Sequence, residues 1–281
     1  MRYRVRHRTQ YRYSEPVSLG HNQVICQPRP HPRQVCTDAL LEIEPVPAVS
    51  SRRRDYFGNY VTFFAVQERH QELSVTLRFQ AEVTAPDPVA DSPPWEEAAV
   101  RGDLEAHQYL FDSHYVQCDD DLAAYARLSL TPGRPLVEAV SDLTHRIHTD
   151  FRFDPKATDV TTPLRQVLEK RRGVCQDFAH LEIGMLRSVG LAARYISGYV
   201  LTVPPPGQPR LIGADASHAW ISVFCPPLGW LDFDPTNDSQ PSDQHVTVAW
   251  GRDYDDVSPV KGVVLGGGRQ SVSVGVDVLP L

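Results

Sequence analysis

The chain has 281 residues, 41% hydrophobic and 22% charged, with a net charge of −7 and a pI of about 5.9. That composition excludes a disordered or fibrous chain, and the acidic balance argues against a general nucleic-acid binder. No run approaches the roughly 18 apolar residues of a membrane-spanning helix. The start, MRYRVRHRTQYRY, lacks the apolar stretch of a secretory signal. The five cysteines (26, 36, 118, 175 and 225) are odd in number and form no CxxC pair. Reduced thiols in a cytosol are therefore expected, with no disulfide framework, metal site or cofactor.

Residues 1–84 read as antiparallel strands. MRYRVRHR alternates Tyr3, Val5 and His7 with arginines, and LLEIEPV, YVTFFAV and LSVTLRFQAEV follow with strand composition. PRPHPR and DYFGN supply turns between them. APDPVADSPPW, with its clustered prolines, marks a boundary, so residues 1–90 are taken as a β-rich domain. Apolar spacings of three and four then predict helices in LEAHQYLFDS, DDLAAYARLSL, PLVEAVSDLTHRIHTDF and TTPLRQVLEKRR. In the last of these, Thr162 suits the N-cap and Pro163 the first helical position. ARYISGYVL, HAWISVF and GWLDFD read as strands, which makes 91–240 an α+β core. Residues 241–281 read mostly as loop, ending in one amphipathic strand where Val272, Val274, Val276 and Val278 alternate with small or polar residues.

RRGVCQDFAH raises the question of chemistry. Phe178, Leu181, Met185 and Val189 define one apolar helix face, and Gly190 stands where a glycine would end the helix. Cys175 thus lies in the first turn, where unpaired N–H groups and the macrodipole favour a thiolate. Gly173 would let the backbone approach a ligand closely. The other four cysteines start no helix and read as bystanders. A thiol nucleophile needs a base, and the base needs an orienting group. His180 lies on the wrong side of the helix and reads as a packed or solvated residue. His218 is better placed. If the HAWISVF–GWLDFD hairpin turns near Pro226, His218 faces Asp234 directly, and a carboxylate there can hold an imidazole.

GVCQDFAHLEIGMLRSVGLAARYISGYV, SHAWISVF and GWLDFDPTND resemble the three core motifs of the bacterial transglutaminase-like superfamily. HRTQYRYSEPVSLGHN, RDYFGNYVTFF and HQELSV resemble the β-rich N-terminal region found with that core, and WGRDYDDVSPVKGVVLGGG resembles its C-terminal segment. The resemblance implies an α+β fold: a papain-like core of helices packed on an antiparallel sheet, with an N-terminal antiparallel β domain. It implies a catalytic set of Cys175 as nucleophile, His218 as base and Asp234 as orienting acid. It also implies a thiol-dependent hydrolase acting on a peptide or isopeptide amide, with a protein-glutamine acyl transferase and an idle peptide-binding scaffold as alternatives. Papain-like enzymes place an oxyanion-binding glutamine six residues before the cysteine. Glu169 holds that position here, leaving Gln166, Gln176 and Trp230 as candidates. A peptide or protein substrate is the expected partner, with no nucleic acid and no membrane. The acidic run at Asp253, Asp255 and Asp256 reads as a solvated loop, with a calcium or amine site as the alternative.

Overall fold

The computed structural model describes residues 1–89, 91–98, 103–201, 217–226 and 228–281. Residue 90, where the sequence analysis ends the first domain, and Pro227 in the expected hairpin turn lie outside the described residues. Five strands come first: β1 (Arg2–Val24), β2 (Gln34–Glu44), β3 (Val49–Arg54), β4 (Tyr60–Val66) and β5 (His70–Val83). β1 is the spine of their sheet. Its first half pairs antiparallel with β5 and its second half with β4. The expected alternation holds: Tyr3, Val5, His7 and Thr9 are buried, whereas Arg2, Arg4 and Arg8 face solvent. β3 is an addition to the sequence reading. VSSRRR is exposed throughout and edges the sheet, with its arginines limiting unwanted strand pairing.

The helical part contains α1 (Leu104–His107), α2 (Asp120–Ala126), α3 (Leu136–Asp150), the short strand β6 (Arg152–Phe153), α4 (Leu164–Lys170) and β7 (Arg172–Gly173). α4 starts one residue later than the sequence predicts, with Pro163 as its cap. Thr162 instead closes a local turn with Asp159, its Oγ1 accepting from the Asp159 N–H at 2.9 Å. Next come α5 (Cys175–Arg187) and a four-stranded antiparallel sheet. Its order is β10 (Gly229–Phe233), β9 (Ser217–Cys225), β8 (Ala193–Val200) and β11 (His245–Gly251). α5 packs on β8 and β9 and is buried from Asp177 to Arg187, so it is the central helix of the core.

The segment after residue 241 differs most from expectation. It is not mostly loop: β11 completes the core sheet, α6 (Tyr254–Val257) follows, and β12 (Val260–Gly266) and β13 (Gln270–Pro280) return to β1. The β12–β13 turn is GGG, with φ of +91°, +86° and +61° at Gly266, Gly267 and Gly268. That left-handed backbone lets the turn close over the bend in β1, where a Cβ on Gly266 would sit 2.7 Å from the Pro16 carbonyl oxygen. The N-terminal sheet is thus completed by the C-terminus of the chain. Among the described residues no helix is long and apolar enough to cross a membrane.

Candidate active site

Cys175 is the first residue of α5, half-buried, as the sequence predicts. Asp177 caps this end: its Oδ2 accepts from the Val174 N–H at 2.8 Å and from Thr158 Oγ1 at 2.6 Å. Burial raises the Asp177 pKa against those two hydrogen bonds. The role of Gly173 is therefore different from the one expected. A Cβ there would stand 2.6 Å from Asp177 Oδ2, so the glycine makes room for the cap rather than for a ligand.

His218 and Asp234 meet at the end of the β9–β10 hairpin. The register is displaced by two residues from the predicted one: Asp232 pairs with Ser222 and Phe233 with Ile221, so Trp220, not His218, lies opposite Asp234. A shift of two preserves the face, and the histidine reaches the carboxylate diagonally. His218 Nε2 donates to Asp234 Oδ2 at 2.7 Å. Cys175 is the other group whose hydrogen bond and charge act on this imidazole. Burial works against a charged imidazole. The hydrogen bonds and charges of Asp234 and Cys175 outweigh it and raise the His218 pKa to about 10.

Asp234 is fully buried and fully engaged. Oδ1 accepts the N–H groups of Thr236 and Asn237 in the turn after Pro235, at 3.0 and 3.2 Å. Oδ2 accepts from His218, from the Asn237 side-chain amide at 2.7 Å and from His245 Nε2 at 3.1 Å. Burial would raise its pKa, but these bonds hold the carboxyl well below the usual range. His245 was not found from sequence. Its Nδ1 accepts the Ser242 N–H at 3.4 Å, which leaves the proton on Nε2, pointing at Asp234. The ligand atoms of His218, Asp234 and His245 lie within 4.8 Å of one another, a donor set a metal ion could also use. In this arrangement the three already satisfy each other.

Trp220 covers the cluster. It is fully buried, nearly parallel to His218 at 6.0 Å and edge-on to His245 at 5.3 Å. Gly198 on β8 makes this possible, because a Cβ there would meet the Trp220 ring at 2.5 Å.

The remaining residues singled out from sequence lie elsewhere. His180 is buried, accepts the Tyr254 N–H at 3.1 Å and has its pKa lowered to about 4 by burial, so it is a neutral packing residue. Burial pushes the Cys26 thiol to about 12 and those of Cys36 and Cys118 to about 11, with Asp112 adding to the rise at Cys118. Glu169 is exposed and pairs with Arg165. Trp230 is the second residue of β10, opposite Phe224 and about 20 Å along β9 from His218, which removes it as an oxyanion donor. Asp253, Asp255 and Asp256 do not form a loop: Asp253 caps the one-turn helix α6, and Asp255 and Asp256 lie within it. Asp253 accepts the Tyr115 and Asp255 N–H groups, and Asp256 binds Arg252 at 2.9 Å.

Two family models match the chain: the bacterial transglutaminase-like N-terminal region over residues 3–82 and the transglutaminase-like superfamily over residues 123–235. The uncharacterized protein Rv2569c of Mycobacterium tuberculosis (strain ATCC 25618 / H37Rv) is 43% identical over 99% of this chain and 93% of its own length. A protein-glutamine gamma-glutamyltransferase of Pseudomonas aeruginosa is 27% identical over 37% of this chain and 18% of its own. A crystal structure from Cytophaga hutchinsonii, described as a "Putative Cysteine Protease", superposes with a TM-score of 0.76 at 20% identity, covering 100% of this chain and 91% of that one, a likeness of fold. Sequence motifs, sheet order and these matches agree that the chain belongs to the transglutaminase-like superfamily.

Proposed function

We propose that the protein is a thiol-dependent amide-bond hydrolase that works through a thioester on a peptide or isopeptide substrate. The observation that carries this reading is His218 held between Asp234 and Cys175, with its pKa raised to about 10. At neutral pH that imidazole is protonated, and its natural partner is a Cys175 thiolate. The thiolate attacks the amide carbonyl. The Cys175 N–H, first in its helix and without an intrahelical acceptor, faces the developing oxyanion. His218 gives its proton to the departing amine nitrogen as the C–N bond breaks. Water then attacks the thioester, neutral His218 takes the water's proton, and the carboxylic acid leaves as the C–S bond breaks. Asp234 keeps Nε2 as its donor throughout and stabilises the imidazolium.

The similarity of part of the core to a protein-glutamine gamma-glutamyltransferase supports a second reading, in which an amine replaces water in the last step. The two are separated by offering a glutamine-containing peptide together with a labelled amine. Free acid and ammonia without label mark a hydrolase; label in the peptide marks a transferase. No turnover of any peptide, with a Cys175 no more reactive than the other thiols, would leave only the peptide-binding scaffold. The unpaired state of all five cysteines supports a reducing, cytoplasmic setting, and the net charge of −7 supports a protein rather than a nucleic-acid partner.

A further inference from the structure

Two arginines are buried in this fold to nearly the same depth and are treated in opposite ways. Arg187, 4% exposed at the end of α5, spends its nitrogens on backbone and hydroxyl oxygens. It donates to Ala193 O from both Nε and Nη2, and to Phe111 O, Ser113 Oγ and Arg252 O. That is how a structural arginine is accommodated. Arg194 on β8 is 7% exposed, yet its guanidinium makes no hydrogen bond among the described residues, and its Nε is fully buried without a partner. It is clamped between two indoles instead, 3.9 Å from the Trp250 ring centre and 4.1 Å from that of Trp230. A second guanidinium, Arg29, also stacks on Trp250, 3.1 Å from the ring centre. Arg29 uses Nη1 on Phe57 O and Asn59 Oδ1, while its Nε is also buried without a partner.

This stack forms one wall of a cavity of about 410 Å³ that Phe57 and Tyr109 also line. Among the described residues its one acidic lining residue is Glu105, which is exposed. The nearby Asp232 is engaged by Arg33 at 3.3 Å. Burial lowers the pKa of each guanidinium to about 10, and the two repel each other, but both stay charged at neutral pH. The aromatic faces hold the guanidinium planes in place and stabilise the charge, but they supply no hydrogen-bond acceptor. An oxyanion would.

We propose that this cavity is a binding site for a small ligand carrying a carboxylate or phosphate on a flat apolar body, with Arg194 and Arg29 taking the anion and the aromatic wall taking the body. A cavity of this size suits a small molecule. It is separate from the candidate active site. Arg194 pairs with Ser222, four residues and about 13 Å along β9 from His218. The inference therefore does not depend on Cys175 chemistry.

The test is a titration followed by tryptophan emission, since Trp230 and Trp250 line the site. Benzoate, phenyl phosphate, inorganic phosphate and phenol are compared at constant ionic strength set with sodium chloride. Saturable 1:1 binding of benzoate or phenyl phosphate, with phenol inert, is expected. Whichever of the two binds more tightly identifies carboxylate or phosphate as the preferred group, and inorganic phosphate shows how much the body contributes. Arg194→Met should weaken binding by at least roughly tenfold. It should also fold at least as stably as wild type without ligand, because it removes a buried cation that has no hydrogen bond among the described residues. If Arg194→Met does not fold, Arg194→Lys, which keeps the charge but loses the planar fork, replaces it and should bind more weakly than wild type. Emission that responds equally to every probe and to chloride, or a variant that binds as tightly as wild type, would overturn the proposal.

Discussion

Asp234 and Glu182 are both fully buried carboxyl groups, close enough to influence each other's charge, and they carry opposite protonation states. Asp234 accepts five hydrogen bonds and stays ionised. Glu182, in the middle of α5, has one: its Oε1 lies 2.6 Å from Thr144 Oγ1, and its Oε2 has no partner. Burial, with help from the charge on Asp234, raises its pKa to about 8. The Thr144 hydroxyl has one proton, shared between Val140 O at 2.9 Å and Glu182 Oε1, so its hydrogen bond only partly offsets the burial that raises the Glu182 pKa. Two groups at equal depth show that donor count, not burial, decides which carboxyl can serve an imidazolium.

Removing the ionised member should have the largest effect. Asp234→Ala should lower amide hydrolysis by about 10³-fold or more, as the imidazole loses its orientation and its counter-charge. Steady-state rates on a peptide substrate measure this. The pH profile sharpens the point. Because the folded-state pKa of His218 is raised, its protonated form persists above neutrality, and the rate should fall as pH rises through about 10. The same linkage contributes stability that is complete below the unfolded value of about 6.5 and is lost on the way to 10.

Glu182 should behave in the opposite sense from an ordinary carboxylate. Its raised pKa means the folded state holds a proton that the unfolded state releases above about 4.5, so stability should decline from there up to about pH 8. Glu182→Gln should flatten that slope and stabilise the protein at pH 8 by on the order of 2–4 kcal/mol, read by denaturant unfolding at a series of pH values. A carboxyl that was ionised in the native state would give no such slope. His245→Phe should cost about tenfold in kcat with little change in KM, because it removes one of several donors to Asp234 and touches no substrate. Gly198→Ala should act on stability rather than on chemistry, because its Cβ would meet both the Trp220 ring and the backbone carbonyl oxygen of Val246, at a cost of about 3 kcal/mol.

How much of this was legible depended on whether the signal was periodic. α5 was readable because its apolar residues recur at helical spacing, although it ends at Arg187 with Ser188 as its cap, and Gly190, at φ +87°, comes two residues after that cap. The hairpin was readable, but its register was not: Asp232 pairs with Ser222 rather than with Trp220. The candidate pair survived only because the error was an even number of residues. Glu182 carried a signal that went unused, an acid four residues after Phe178 and three before Met185 on the same apolar stripe. His245 and Arg194 carried none. One opens HVTVAWG directly after a polar turn, which resembles more loop, and the other resembles any cation near the start of a strand. Their roles come from strands that meet only in the folded sheet.

The central claim is that Cys175 works as a nucleophile with His218 as its base, and alkylation tests it most directly. Wild-type protein and His218→Ala are treated with iodoacetamide at a series of pH values, and each cysteine is quantified by peptide mass spectrometry. The account predicts that Cys175 is modified faster than the other four thiols, whose pKa values burial raises, and that this advantage disappears in the variant. Slow and uniform labelling of all five thiols, unchanged by the substitution, would contradict it.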